Sequence, residues 1–478
     1  MSDQESFVAL VLAAGQGKRM KSQLPKVLHP LLGRPMVCYP VDAALGAGAE
    51  RVVCVVGHGA ERVTKMLNER YGERVPTALQ PEQRGTGDAA RCGLSALPGY
   101  HGWIAIVYGD SVLITSETIA ALVEHARASN APLALLTATI PDATGYGRIV
   151  RDDAGRVVKV QEERDCSPAE RAIREFNPGV YVVRAGFLRD ALGQLRPSNA
   201  QGELYLTDLV AMAAESGGAA ALSWVAADLH GINDRHELVQ REQDLARRVA
   251  LGHITRGVTI RDPEHARIEP TVQIEQDAVI ESNVELRGKT SIGRGARIDV
   301  GAVLTDTRVL EDAHVLPYTV ATESVIGPAS RVGPFSHLRP GSELGREVHL
   351  GAFVETKKTQ MGEGSKANHL AYLGDGVIGR GVNVGAGTIF CNYDGVNKHT
   401  TTLEDGVFIG SDSQLVAPVT VGKDAYVASG TTVTEDVPAD ALAIGRARQV
   451  NKPGFAARLR ERFLGERQRA GAPKSPKK

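Results

Sequence analysis

The chain has 478 residues with 55 basic and 56 acidic side chains, a formal net charge of −1. That balance argues against nucleic acid as the main partner, since phosphate backbones select strongly basic faces, and the length is too great for one hydrophobic core. Cys38, Cys54, Cys92, Cys166 and Cys391 lie far apart with no C-x-x-C pair, which disfavours a zinc site or a disulfide framework and suits a reducing cytoplasm. Asp3 and Glu5 precede an apolar run that stops at Gly15, neither a signal peptide nor a membrane span. A soluble, cytoplasmic protein of two or three domains is expected. Its 5% aromatic content beside 52 glycines implies aliphatic cores and many tight turns.

In chain order, residues 7–12, 51–56, 103–107 and 133–139 are short apolar runs suited to buried parallel strands. Helical stretches at 36–47, 61–70 and 119–128 alternate with them. This predicts a doubly wound, Rossmann-like α/β domain with ligands at the carboxyl ends of its strands. From 234 to 253 the pattern becomes a charged helix with Leu238, Leu245 and Val249 along one side, expected to be an exposed connector. The implied division is 1–235 for the α/β domain, 236–256 for the connecting helix, 257–450 for the region behind it, and 451–478 for a basic tail, expected to be mobile.

Behind the helix the sequence is periodic. Ile268, Ile274, Ile280, Leu286, Ile292, Ile298 and Leu304 fall six residues apart, and the spacing resumes at Ile326, Val332, Leu338, Leu344 and Leu350. It returns at Leu403, Ile409, Leu415, Val421, Val427 and Val433. A six-residue period fits neither a helix nor a two-residue strand alternation; it predicts a left-handed parallel β-helix with one hexapeptide per face and coils stacked about 4.8 Å apart. Insertions are expected to break the ladder at 356–372 and 390–402. A regular solenoid has no need of them, so function is sought there.

Residues 8–20, VALVLAAGQGKRM, run from a strand into a glycine-rich turn, with Pro25-Lys26 soon after. The turn is not a Walker A loop, and it lacks the third glycine of a dinucleotide fingerprint. It leaves a backbone that can approach a base and phosphates closely, with Arg19 and Lys26 as cations suited to a nucleoside triphosphate attacked at its α-phosphorus. An isolated Gly-x-Gly turn with solvated charges would look the same.

The motif L-A-A-G-x-G-x-R-M followed by P-K resembles the sugar-nucleotide pyrophosphorylases. The hexapeptide repeat narrows the resemblance to the bifunctional bacterial N-acetylglucosamine-1-phosphate uridyltransferase/glucosamine-1-phosphate N-acetyltransferases, over all but the basic tail. The resemblance implies that Leu12, Ala13, Ala14, Gly15 and Lys26 bind UTP, and that Gln80, Gln83, Gly85 and Thr86 read uracil and ribose. Where the family usually has His after Gly87, this chain has Asp88. Tyr108 and Gly109 lead into Asp110, which with Asn233 would hold Mg²⁺, although Ser111-Val112 departs from the family's D-x-P. Gly147, Glu162 and Asn177 would hold the sugar hydroxyls and acetamido group. With Arg19 and Lys26 neutralising charge, the sugar phosphate attacks UTP and expels pyrophosphate without a covalent intermediate.

In the second half the resemblance makes His369 the base that deprotonates the acceptor amine, a task suited to imidazole. Arg339, Lys357, Tyr372 and Asn383 would grip glucosamine-1-phosphate. Asn392 and Tyr393, in C-N-Y-D-G, would contact the acetyl donor or sugar, and Ala386, Ser411, Ser429 and Arg446 would line the coenzyme A groove. The family often has Ala where Ser429 stands. Cys391 raises an acyl-cysteine route, but direct acetyl-CoA transfer suffices. The implied molecule is a cytoplasmic homotrimer supplying UDP-N-acetylglucosamine for peptidoglycan and lipopolysaccharide. The main alternative is a single-activity pyrophosphorylase with a structural β-helix; His369 and Asn392-Tyr393 argue against it. A third reading, a non-enzymatic assembly subunit, would not be expected to keep Gly15, Gly17, Arg19, Lys26, Asp110 and Asn233 together.

Overall fold

The computed structural model describes residues 6–471. The chain divides into two compact units, Met1–Val272 with Ile280–Gly288, and Gln273–Val279 with Lys289–Lys478.

In the first unit Phe7–Ala13 lies between Val52–Val56 and Trp103–Tyr108, parallel to both, with Thr77–Leu79 at the edge. Every residue of Phe7–Ala13 and Val52–Val56 is buried, as strands covered by helices on both faces must be. Their side chains alternate between two cores. Val11, Cys54 and Val107 pack with Val41 and Leu122, while Leu10, Val55 and Ile106 pack with Ala90 and Leu188. Helices Cys38–Gly46, Ala60–Tyr71, Thr86–Ser95 and Ser116–Ser129 supply the layers.

The ten-stranded sheet is not parallel throughout. Tyr181–Arg184 runs antiparallel between Trp103–Tyr108 and Leu133–Thr139. Beyond it Glu175–Asn177, Gly147–Arg151 and Val157–Gln161 form an antiparallel extension. No periodicity announces this extension, whose strands are short and partly exposed.

The helix expected from 234 to 253 spans Arg235–Thr255, with the Asp234 carboxylate accepting from the amides of His236 and Glu237 at its N-terminus. It is not an exposed connector. Leu245 and Ala246 are buried with Leu31, Met36, Leu113 and Ile232, with Leu238 and Val249 against them. Arg248 bonds the Leu113 carbonyl and the Asp228 carboxylate at 2.7 Å each. The helix therefore belongs to the first unit.

The second unit is a prism of short strands in three parallel sheets, the left-handed β-helix that the hexapeptide period predicts. Along one face Arg297, His314, Arg331, His349, Lys366 and Asn383 succeed one another coil by coil. The aliphatic ladder is buried from Ile292 to Val433. The first expected insertion is not one. Between 356 and 372 the chain stays in the prism, with Glu355–Lys357, Gln360–Met361, Lys366–His369 and Tyr372–Gly374 paired to neighbouring coils. Thr356, Met361, Ala367 and Leu373 take the inward positions. The second expected insertion is real: after Ile389–Cys391 a loop leaves the prism, pinned by a bridge between Tyr393 and Lys398, and the ladder resumes with Thr401–Leu403.

Within the stretch called a mobile tail, Phe455–Gly471 is a helix, all but two of its described residues exposed; residues 472–478 lie outside the described part. Among the described residues no helix is long and apolar enough to cross a membrane.

Candidate active sites

The first candidate site is a cavity at the carboxyl ends of the parallel strands, where a doubly wound sheet offers a crevice. It is lined by Leu12, Ala13, Ala14, Gly15, Lys26, Gln80, Gln83, Gly85, Thr86, Tyr108, Asp110 and Asn233, all expected from the sequence, and by Gln16, Val27, Ala89 and Glu203, which were not. No described residue comes within 4 Å of where a Cβ on Gly15 would stand, so the space above its backbone is open. Gly85 has φ +114°, and a Cβ there would meet the Leu204 carbonyl at 2.5 Å. The Thr86 hydroxyl accepts from the Leu206 amide at 3.0 Å, which fixes the start of its helix against the 204–206 segment.

Charge is concentrated at one end of the cavity. Lys26 is ion-paired with Asp110, and Arg19 donates to Asn233 Oδ1 at 2.8 Å. Gly231 lies beside Asp110, where a Cβ would stand in ordinary contact, 3.6 Å from the carboxylate. Asp110 and Asn233 are thus hard oxygen donors on neighbouring segments, a set that fits a divalent cation whose other ligands come from phosphate and water. No cluster of three or more His, Cys, Asp or Glu side chains placed to hold a metal occurs among the described residues.

Gly109, Gly147, Glu162 and Asn177 do not line this cavity. Gly147 and Asn177 belong to the antiparallel extension, where they pair with each other, and Glu162 follows its last strand, Val157–Gln161. Asn177 donates to the Tyr181 hydroxyl at 2.7 Å and accepts from the Gly179 amide at 3.2 Å. Gly179 in turn lies against the Tyr108 ring, where a Cβ would overlap it. Glu162 accepts from the Thr207 hydroxyl at 3.0 Å. Burial pushes its carboxyl above the usual range against the pull of that hydrogen bond, and Asp165, Asp208 and Glu203 push the same way. A half-buried carboxylate held by one hydroxyl can accept hydrogen bonds from sugar hydroxyls.

The second candidate site lies on the prism. Arg339 pairs with Glu355 at 2.9 Å. Glu355 stands beside Tyr372, and Lys357 beside Gly374, on adjacent coils. A Cβ on Gly374 would lie 2.5 Å from the Tyr372 hydroxyl and 2.6 Å from the Asn392 amide nitrogen, so both polar groups converge over its bare backbone. Asn392 is held there by Asp375. Tyr393 is half exposed in the loop under Lys398, whose ammonium is 4.2 Å from the ring. His399 reaches Asp394 at 2.7 Å, and the histidine with the loop amides holds that carboxyl well below its usual range.

His369 and Asn383 are on a different face. His369 ends Lys366–His369, two residues past buried Ala367, and is exposed. One chain therefore splits the expected acceptor set, with Arg339, Lys357 and Tyr372 on one face and Asn383 on the next. The coenzyme A set follows a corner of the prism: the Gly387 amide donates to the Leu370 carbonyl, Asp412 to Ala386 and Gly430 to Ser411, coil upon coil. Arg446 reaches back to the Ser429 carbonyl. Ala386, Ser411 and Ser429 thus stand in one column above the residues that follow His369. Glu355 and Asp375 were missed in the sequence; acidic residues beside a hexapeptide's aliphatic position are common in this chain and do not stand out.

An α/β unit with a charged pocket at its strand ends, joined to a hexapeptide prism, defines a nucleotidyltransferase carrying a left-handed β-helix. Residues 9–165 match the MobA-like NTP transferase domain and residues 264–357 the GMPPB C-terminal domain. Whole-length relatives agree. The Bifunctional protein GlmU of Sorangium cellulosum (strain So ce56) is 58% identical over 464 residues, covering 96% of this chain and 97% of the relative. Those of Pelobacter propionicus (strain DSM 2379 / NBRC 103807 / OttBd1) and Brevibacillus brevis (strain 47 / JCM 6285 / NBRC 100599) are 48% and 46% identical, covering 96% and 94% of this chain and 100% and 97% of the relatives. The chain belongs to the bifunctional GlmU family.

Proposed function

We propose that the chain makes UDP-N-acetylglucosamine by two transfers. The prism moves the acetyl group of acetyl-CoA to the amine of glucosamine-1-phosphate, and the α/β unit moves uridylyl from UTP to N-acetylglucosamine-1-phosphate, releasing pyrophosphate. The observation that carries the reading is identity of 58% across both units to a relative named bifunctional.

In the α/β unit the nucleotide lies over Leu12 to Gly15, where the open backbone at Gly15 admits it. Lys26 and Arg19 neutralise the phosphates, and Glu162, Asn177 and the Gly147 backbone orient the sugar so that its phosphate oxygen is aligned with the α-phosphorus. A divalent metal, Mg²⁺ in this reading, would be held by Asp110 and Asn233 and would neutralise charge on the phosphates.

On the prism Arg339 and Lys357 hold the sugar phosphate. His369 takes the proton from the amine as its nitrogen attacks the thioester carbonyl, and coenzyme A leaves as the thiol. The column of Ala386, Ser411 and Ser429, with Arg446, lines the coenzyme groove. Since one chain parts Asn383 from Arg339, Lys357 and Tyr372, the complete site is assembled between copies in a homotrimer. The reaction partners are small molecules, and the setting is the cytoplasm.

The test follows free thiol and pyrophosphate separately from glucosamine-1-phosphate, acetyl-CoA, UTP and Mg²⁺. Wild type releases both. His369→Ala lowers thiol release by about 10²–10⁴-fold yet still forms pyrophosphate when given N-acetylglucosamine-1-phosphate, and Asp110→Ala loses only pyrophosphate. A wild type that never releases thiol would leave the prism a structural module.

A further inference from the structure

Asp88, which stands where the family usually has histidine, is 1% exposed in the first turn of Thr86–Ser95, between Thr86 and Ala89, which line the nucleotide cavity. One of its carboxylate oxygens is paired with Arg91, with Arg84 at 3.7 Å. The other accepts from Gln80 Nε2 at 2.9 Å. The same Nε2 donates to the Gly85 carbonyl at 3.2 Å. A carboxylate and a peptide carbonyl can only accept, so the Gln80 amide has one orientation; flipping it would set oxygen against oxygen twice. With both hydrogens of Nε2 spent, Oε1 is left for the cavity that Gln80 lines, and no described residue donates to it.

We propose that Asp88 is a positioning residue for base selection: it holds Gln80 with its oxygen toward the base, so that the pocket takes a pyrimidine whose ring N3 carries a proton. Uracil offers that N–H. Cytosine seated the same way would set the N3 lone pair against Oε1, and leaving polar groups opposed in a dry pocket is how such sites reject a near-isostere. The proposal rests on the reading of this cavity as the UTP site. A purely structural Asp88, an acid in the first turn of a helix paired with two arginines, would support the fold without touching base choice.

The experiment compares kcat/KM for UTP and CTP, with N-acetylglucosamine-1-phosphate as acceptor, in wild type and Asp88→Asn. An asparagine can turn its own NH₂ toward Gln80 and release the lock. The expected result is a fall in the UTP-to-CTP ratio of about tenfold, the worth of one hydrogen bond. An unchanged ratio, including equal losses with both nucleotides, overturns the proposal. Should the variant not accumulate folded, N3-methyl-UTP is offered to wild type. Equal use overturns the proposal. Where use is at least about tenfold poorer, the UTP-to-CTP ratio is read in Asp88→Ala, which leaves the Gly85 carbonyl alone to orient Gln80. A fall supports the proposal and an unchanged ratio overturns it. A wild type inert toward UTP would defeat the UTP reading itself, and the proposal with it, whereas an active Asp88→Asn with the wild-type ratio defeats the proposal alone.

Discussion

Glu162, proposed above to orient the sugar, illustrates what such a role costs a free protein. Its carboxyl is pushed above the ordinary range by desolvation and by Asp165, Asp208 and Glu203, against the pull of the Thr207 hydroxyl. A carboxyl whose pKa is raised on folding favours the native state most when protonated, below the pKa of the unfolded chain. That contribution is lost as pH rises through the folded pKa. Glu162→Gln should therefore raise the thermal unfolding midpoint of the unliganded protein near about pH 8 and change it far less near about pH 4. The same substitution should raise KM for N-acetylglucosamine-1-phosphate by about 10–100-fold, the worth of a hydrogen bond to a charged group. A midpoint that does not respond to pH would show the carboxylate to be well solvated. Residues of this kind were legible only through motifs. Among 13 histidines nothing in spacing marks His369, and Glu162 alone reads as a solvated charge. Asp88 was visible as a departure, but its bond to Gln80 needed the fold.

At the scale of elements, legibility followed burial. The parallel strands were readable because two covered faces demand uninterrupted aliphatic runs, and Leu133–Thr139 spans the residues its hydropathy marks. The antiparallel extension was not, since its partly exposed strands carry mixed residues. The 356–372 stretch misled for a different reason. Thr356 and Ala367 fill inward positions as Ile or Leu would elsewhere, and Met361 comes five residues after Thr356 rather than six, so a filter tuned to branched aliphatics at one spacing loses the ladder. The charged helix Arg235–Thr255 reads as solvent-exposed by composition, yet its apolar side packs on the Leu31–Met36 region. Its cap is testable: Asp234→Ala should destabilise the first unit by about 1 kcal/mol, read as a lower denaturant midpoint. No change would mean the helix is held by packing alone.

For the whole molecule, the proposed assembly of the acetyl site between copies implies that acetyl transfer depends on the oligomer, whereas the residues proposed to bind UTP line one cavity within a single chain. On dilution from micromolar to low nanomolar protein, thiol release per chain should fall in step with the sedimentation coefficient. Pyrophosphate release from N-acetylglucosamine-1-phosphate should stay constant. If both rates stayed constant across a measured dissociation, the acetyl site would be contained in one prism. The bipartite organisation was plain in the sequence because the hydropathy period changes outright. Where Asn383 falls relative to Tyr372 was not, since it depends on how many residues each corner consumes.

That variable consumption has a hereditary side. His314 faces Arg331 and Arg331 faces His349, so consecutive coils differ in length by one residue while their inward side chains stay in line. The corners absorb the difference. A codon gained or lost at a corner leaves the ladder's phase intact, whereas the same change inside a two-residue strand turns its aliphatic side chain outward. The prism can therefore absorb a residue gained or lost at a corner that carries no site residue, and must keep strict count within its strands.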